Sequence, residues 1–284
     1  MTRSSLEMFA LEGKVAAITG GGGALCGAMA VALGSMGVKV AILDKQLDNA
    51  KKKEKTITDS GGSAMALTCD VLRPDHLKQC YEVISNAWGT VDFLINGAGG
   101  NHPQGTTSTA FFERKAPPDP DAASIFDLDP AQYRKVFDVN YMGTFLTTQI
   151  FSRGMVEKGS GSIVNISSMS AGTPLTKVVA YSSAKAAVSN FTRWLAVYFA
   201  KAGVRVNALA PGFFMTEQLR FLHVDQKTGQ LTPRAQQVIA NTPMGRYGEP
   251  ADLIGPLVWL LSDASRFVTG VIVPIDGGFS AYSI

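Results

Sequence analysis

Residues 14–27 read KVAAITGGGGALCG, and the next apolar run, Val38–Leu43, ends against Asp44. A short Val- and Ile-containing run, four consecutive glycines and an alanine-rich stretch of helical period predict a strand, a tight turn and a helix. Glycines let a backbone approach a phosphate closely, and the helix start behind them offers free N–H groups with partial positive charge. Gly20, Gly22, Gly23, Ala24 and Leu25 are therefore candidate dinucleotide ligands, with a purely structural turn as the alternative. Asp44 follows Gly20 by 24 residues, near the spacing at which an acidic side chain binds ribose hydroxyls. Its alternative is a helix N-cap.

Similar runs recur along the chain. The candidate strands are Lys14–Thr19, Val38–Leu43, Ala64–Thr68, Val91–Ile95, Gly161–Ser167, Val204–Leu209 and Val271–Ile275. Most are continuously apolar, the pattern of parallel strands covered on both faces. With helical segments between them, they predict an α/β fold built on a doubly wound parallel sheet. No repeat or low-complexity linker marks a boundary, so 1–284 reads as a single domain. Two long connections, 100–126 and 213–242, read as variable substrate loops.

Composition narrows the function. Hydrophobic residues make up 46% of 284, enough for a large core and too many for disorder. A net charge of +3, with no lysine cluster on a reading element, gives no case for nucleic acid. The run Lys51-Lys52-Lys53-Glu54-Lys55 reads as the wet face of a helix. Cys26, Cys69 and Cys80 show no paired spacing, and with His76, His102 and His223 they form no metal-ligand pattern. Residues 1–10 lack the apolar core of a signal peptide, and no run suits a membrane span. The expectation is a soluble, reduced, cytoplasmic protein with no membrane partner and no metal.

The chemistry concentrates in Ser168–Lys185, SMSAGTPLTKVVAYSSAK. On one helix, Tyr181 and Lys185 lie side by side at i, i+4. A fixed ammonium stabilises phenolate and lowers the tyrosine pKa, making it a usable acid or base near neutrality. Ser168 can add a hydroxyl to the same reacting oxygen. The fourth strand ends in Asn96-Gly97-Ala98-Gly99-Gly100-Asn101-His102, small residues suited to a backbone pressed on a ligand. Asp70 and Val71 follow the third strand, where Asp70 serves as a cap or contacts adenine. Asn140 falls inside an amphipathic helix beginning near Pro130, where a solvated face is its plain reading.

Taken in order, these motifs resemble the short-chain dehydrogenase/reductase family across residues 9–284: the glycine turn from Thr19, Asp70-Val71, Asn96-Gly97-Ala98-Gly99, Asn140, Ser168, Tyr181/Lys185, Pro211-Gly212 with Thr216, and Asp276-Gly277-Gly278. The resemblance implies a single-domain, seven-stranded Rossmann-type sheet, a homotetramer or homodimer, and hydride transfer with NAD(H), NADP(H) being the alternative. It makes Tyr181 the acid/base, Lys185 its pKa-lowering partner and a ribose ligand, Ser168 the orienting hydroxyl and Asn140 the support of a water relay. It adds Asn96, Ala98, Gly99, Pro211, Gly212, Phe214 and Thr216 to the cofactor site. Two departures stand out. The usual TGxxxGxG carries Ala24 and Cys26 in its later glycine slots, and the usual NNAG reads Asn96-Gly97-Ala98-Gly99. Within the family, residues 95–103, 167–187 and 210–218 resemble the D-mannonate oxidoreductase (fructuronate reductase) branch. That implies a keto-uronate substrate, with Asn101, His102, Lys177 and Arg220 as candidate contacts beside Ser168 and Tyr181. Other readings are a ketose, gluconate or lipid-carbonyl reductase, or a dinucleotide-binding homologue without turnover.

Overall fold

A computed structural model describes residues 6–114, 122–216, 219, 223–225 and 228–283. Seven parallel strands form one sheet: β1 (Val15–Thr19), β2 (Lys39–Asp44), β3 (Ser63–Thr68), β4 (Phe93–Asn96), β5 (Gly161–Ile166), β6 (Val204–Pro211) and β7 (Ile272–Ile275). Their order is β3-β2-β1-β4-β5-β6-β7. All seven expected strands are present, with ends shifted by a few residues.

The helices are α1 (Ala24–Ser35), α2 (Leu47–Asp59), α3 (Pro74–Trp88), α4 (Pro130–Phe137), α5 (Gly143–Lys158), α6 (Val179–Phe199), α7 (Pro233–Ala240) and α8 (Ile254–Leu261). Every residue of β1 is buried, because its two faces feed two cores. Ala16 and Ile18 pack with Met29 and Leu33 of α1, Ile57 of α2 and Leu257 of α8. Val15 and Ala17 pack with Leu77 and Ile84 of α3, Phe151 of α5 and Leu195 of α6. This alternation at period two is what a strand sandwiched by helices requires. Cys26, Cys69 and Cys80 are all free and buried.

Strand order reverses beside β1, which lies between β2 and β4. Ligands of open α/β sheets bind outside the carboxyl ends of the strands at such a switch point. Thr19 and Asn96 pair there at the strand ends.

One helical segment departs from expectation. The pattern beginning at Pro130 continues through a π-helical turn, Asp138–Met142, before α5. Such turns insert one residue into the ladder and redirect side chains. Asn140 sits on it and is fully buried, so it is not the solvated mid-helix residue its plain reading suggested. Lys51, Lys52 and Lys55 are exposed on α2 as expected.

Candidate active site

The glycine turn closes against the end of β4. Gly20 adopts a left-handed φ of 66°, and a β-carbon there would lie 2.9 Å from the Ala98 Cα. Thr19 ties the two strand ends together, its Oγ1 accepting from the N–H groups of Gly97 (3.0 Å) and Ala98 (3.2 Å). Behind the turn, α1 begins at Ala24 with no side-chain cap and no acidic residue in its first turn. The first N–H groups of a helix lack intrahelical partners, so this end presents donors and the positive end of a dipole to an anion. The donor set thus fits a pyrophosphate.

Asp44 is pinned at the rim. Its Oδ2 accepts from the Gly22 N–H (3.0 Å) and its Oδ1 from the Gln46 N–H (2.9 Å). It does not cap α2, whose N-cap position is Gln46. Each oxygen keeps a second lone pair, so a ribose diol can still be met. Asp70 accepts from the Leu72 N–H at 3.1 Å and pairs with Lys45 at 3.0 Å. Four expected cofactor residues use their side chains elsewhere. Val71 is buried against Gly143, and Phe214 is buried against Gly248. Thr216 Oγ1 accepts from the Leu219 N–H. Asn96 turns inward, its Nδ2 donating to Thr148 Oγ1 and Asn165 Oδ1, both at 2.9 Å. The side chains of Asn96, Val71 and Phe214 are therefore engaged inside the protein. Gly212 closes the far side: its N–H donates to the Ile275 carbonyl, and a β-carbon there would meet Asp276.

Lys185 is 4% exposed, and its Nζ donates to the Ile166 carbonyl at 2.7 Å. No carboxylate pairs with it among the described residues. Burial pushes its pKa down to about 8. The ammonium stands 5.6 Å from the Tyr181 ring centroid. Tyr181 itself moves the other way: burial pushes its phenol up, while a hydrogen bond with Ser168 pulls it partly back. The net direction is upward, against the expectation of a lowered phenol, because burial outweighs what its neighbours return. The i, i+4 spacing brings the two side chains together, with one of the three ammonium donors held by the Ile166 carbonyl. The phenol is consequently protonated at neutral pH, a proton donor ready for a carbonyl oxygen.

Asn140 braces this centre. Its Nδ2 donates to the carbonyls of Gly100 and Val136 (2.7 Å each), and its Oδ1 accepts from the Gly100 N–H (3.1 Å). A β-carbon on Gly99 would collide with Asn140 Oδ1 and lie 3.4 Å from Lys185 Nζ. Asn140 is thus a clamp on the end of β4.

The substrate candidates separate. Asn101 and His102 are exposed beside the strand end. His102 Nδ1 accepts from the Gln104 N–H at 3.3 Å, leaving Nε2–H free to donate. Lys177 has a φ of 74°, unusual for a residue with a side chain. Its carbonyl accepts from the Thr107 N–H at 3.0 Å, fastening the first long loop to the start of α6. Its ammonium has no carboxylate partner among the described residues. Arg220 lies outside the described residues. His223, in the second loop, is buried with its Nδ1 2.6 Å from the Tyr247 hydroxyl, in a small core with Ala235 and Val238. It holds that loop together. Sequence reading named Thr19 only as the start of the glycine turn and gave Ser170 and Asn165 no role, since their roles appear only once the strand ends are assembled.

The two departures at Cys26 and Gly97 are one feature. A β-carbon on Gly97 would fall inside the Cys26 sulfur, and within 3.0 Å of the Thr19 carbonyl. The sulfur occupies the space a side chain at 97 would need. Burial pushes the Cys26 thiol up to about 12, so it acts as an inert apolar filler. Gly97→Ala alone should weaken NADH binding sharply. Cys26→Ala/Gly97→Ala should recover most of it, since the new methyl takes the vacated sulfur position. Fluorescence titration of NADH across the four variants measures the coupling. Equal losses in the single and double Gly97→Ala variants would disprove the exchange.

A family model described as enoyl-(acyl carrier protein) reductase matches residues 23–280. An uncharacterized oxidoreductase, UxuB, of Bacillus subtilis (strain 168) is 48% identical over 96% of this chain and 97% of its own length. The 5-keto-D-gluconate 5-reductase of Escherichia coli (strain K12) is 30% identical over 96% of this chain and 97% of its own. A crystal structure of a candidate D-mannonate oxidoreductase from Haemophilus influenza with bound NAD superposes with a TM-score of 0.91 at 47% identity, covering 96% of this chain and 97% of that one. With the glycine turn, the clamped end of β4 and the Ser168–Tyr181–Lys185 cluster, these matches show that the chain belongs to the short-chain dehydrogenase/reductase family.

Proposed function

We propose that the chain is an NAD(H)-dependent oxidoreductase that interconverts a keto-uronate and a sugar acid of the D-fructuronate/D-mannonate type. The observation that carries the reading is the cluster of Tyr181 and Lys185 on α6 with Ser168 beyond the end of β5: the buried Lys185 ammonium stands 5.6 Å from the Tyr181 ring, and Ser168 acts on the Tyr181 phenol to favour its charged form. The dinucleotide, when bound, supplies or accepts the hydride. The protein's own groups manage the oxygen. In reduction, Ser168 and Tyr181 hydrogen-bond the carbonyl oxygen, and Tyr181 passes its proton to it as charge develops there. Lys185, with no carboxylate of its own, is free to meet ribose hydroxyls and to favour the resulting phenolate. In oxidation the proton returns to Tyr181 along the same path.

Cofactor choice follows from charge. The Asp44 carboxylate sits where a ribose 2′-hydroxyl can donate to it, and a 2′-phosphate would meet like charge. Lys45, the neighbouring cation, is engaged by Asp70 at 3.0 Å. The NAD-bound relative supports the same preference. The substrate class rests on the relatives' names and on Lys177, a cation with no carboxylate partner among the described residues, four positions before Tyr181. A uronate carboxylate is costly to desolvate unless cations or several donors meet it. Lys177, half-buried at the seam between the first loop and α6, is assigned that role, with Asn101 and the His102 Nε2–H as further donors.

Self-association is part of the proposal, in a cytoplasmic setting. Trp194, Val197 and Tyr198 on α6 are 56%, 79% and 66% exposed, and Trp194 stacks on Tyr198 at 4.9 Å. At i, i+3 and i+4 they form one apolar stripe that a second copy would cover. Val197→Glu should shift the protein to a smaller species in light scattering; an unchanged mass would place the interface elsewhere.

The test of function is a panel of keto-uronates, 5-keto-gluconate and neutral ketoses, followed at 340 nm with NADH and NADPH. The charged keto acids with NADH should give the highest kcat/KM, and Tyr181→Phe should lower kcat at least ~100-fold with NADH binding kept. Lys177→Met should raise KM for the sugar acid about 10- to 100-fold, the worth of a charge-assisted hydrogen bond, and leave NADH affinity unchanged. Higher kcat/KM on neutral ketoses would refute the sugar-acid assignment. Equal losses on charged and neutral substrates would remove Lys177 from it.

A further inference from the structure

We propose that Ser170 is a positioning residue that forces the Ser168 hydroxyl to act as a hydrogen-bond donor toward the reacting oxygen. The inference rests on Tyr181 and Ser168 being the acid and its orienting partner, as proposed above. Ser168 lies two residues beyond β5 in extended conformation, and Met169–Ala171 then make a single 3₁₀ turn. Ser170, in the middle of that turn, is 1% exposed.

A serine hydroxyl has one proton to give and two lone pairs to receive. Ser168 Oγ accepts from the Ser170 backbone N–H at 3.1 Å and from the Ser170 Oγ–H at 3.0 Å. Both lone pairs are therefore taken. Among the described residues, the Ser170 hydroxyl has no other hydrogen-bond partner than Ser168 Oγ, so its proton has nowhere else to go without leaving a buried donor unsatisfied. The direction of the chain follows: Ser170 donates to Ser168, and Ser168 donates onward to Tyr181 or to a substrate oxygen. A serine free to rotate would spend part of its time accepting from the Tyr181 hydroxyl instead. In that orientation it would strengthen the neutral phenol and oppose proton release.

This arrangement also separates two tasks. The backbone N–H of Ser170 fixes where Ser168 Oγ lies, and the side-chain hydroxyl fixes which way its proton points. Removing the hydroxyl alone keeps the position and loses the direction.

The experiment is a double-mutant cycle of Ser168→Ala and Ser170→Ala. It is read as kcat and as the pH dependence of kcat/KM for oxidation, with NAD and the sugar acid that turns over fastest in the panel. Ser170→Ala should lower kcat about tenfold, a part of what a positioned general acid contributes. It should move the rising limb of the oxidation profile to higher pH, because phenolate loses a donor, and leave NADH affinity unchanged. In the Ser168→Ala background, Ser170→Ala should have no further effect. Ser170→Thr, which keeps the hydroxyl, should retain the wild-type profile. A Ser170→Ala enzyme with wild-type kcat and profile, while Ser168→Ala is impaired, would overturn the inference. Additive losses in the double variant would overturn it as well, by showing that Ser170 acts independently of Ser168. If Ser168→Ala itself left turnover intact, the acid assignment in the preceding section would fail instead.

Discussion

A buried ammonium with no carboxylate partner among the described residues is the constraint around which this site is arranged. Lys185 reaches through the centre of the molecule to a single backbone acceptor, the Ile166 carbonyl at the end of β5. The fold keeps it there at a cost. Its pKa falls from an ordinary 10.5 to about 8, which corresponds to roughly 3 kcal/mol of disfavoured charge. Because the folded pKa is the lower one, the unfolded chain holds more protons between about pH 8 and 10.5. This group's contribution to stability therefore rises with pH across that window. A site that tolerates such a cation gains when hydroxyls or a developing phenolate come to meet it.

The surroundings follow from this placement. Gly99 must be glycine because Asn140 and the lysine head come against it. Ser167 locks the helix to the strand end, its Oγ donating to the Lys185 carbonyl at 3.2 Å and lying 2.6 Å from Ser189 Oγ. One step deeper, Asn96 joins Asn165 and Thr148, and Asn165 donates to Thr192 of α6. These buried polar links run from β4 through β5 to the catalytic helix. They hold the cofactor side of the crevice and the proton side in one register.

Much of this was legible in the sequence. Continuous apolar runs marked most of the strands, because burial on both faces removes the alternation that would otherwise blur them; the edge strand β3, SAMALT, carries no Val or Ile and is only partly buried. The glycine turn and Asp44 stand at the neighbouring ends of β1 and β2, and Tyr181 and Lys185 share the helix α6 that their spacing implied. What escaped notice depends on three-dimensional fit. The π-turn that buries Asn140 has no signature in Asp138–Met142. Cys26 and Gly97, 71 residues apart, look like two unrelated departures until the sulfur is seen in the space the missing side chain would fill. Spacing alone placed Lys185 beside Tyr181, yet it could not show that the lysine head also donates to the Ile166 carbonyl and that burial raises the phenol. Ser170 passed unremarked because a serine acquires meaning only when its partners' lone pairs are counted.

The account depends most directly on the state of Lys185, and NMR titration of the protein with ¹³C-labelled lysine reports it. The Cε resonance lost in Lys185→Met identifies the residue. A midpoint near pH 8 is predicted for the protein without dinucleotide. A midpoint in the ordinary lysine range, above about 10, would show a solvated or carboxylate-paired ammonium and would contradict the arrangement described for this site.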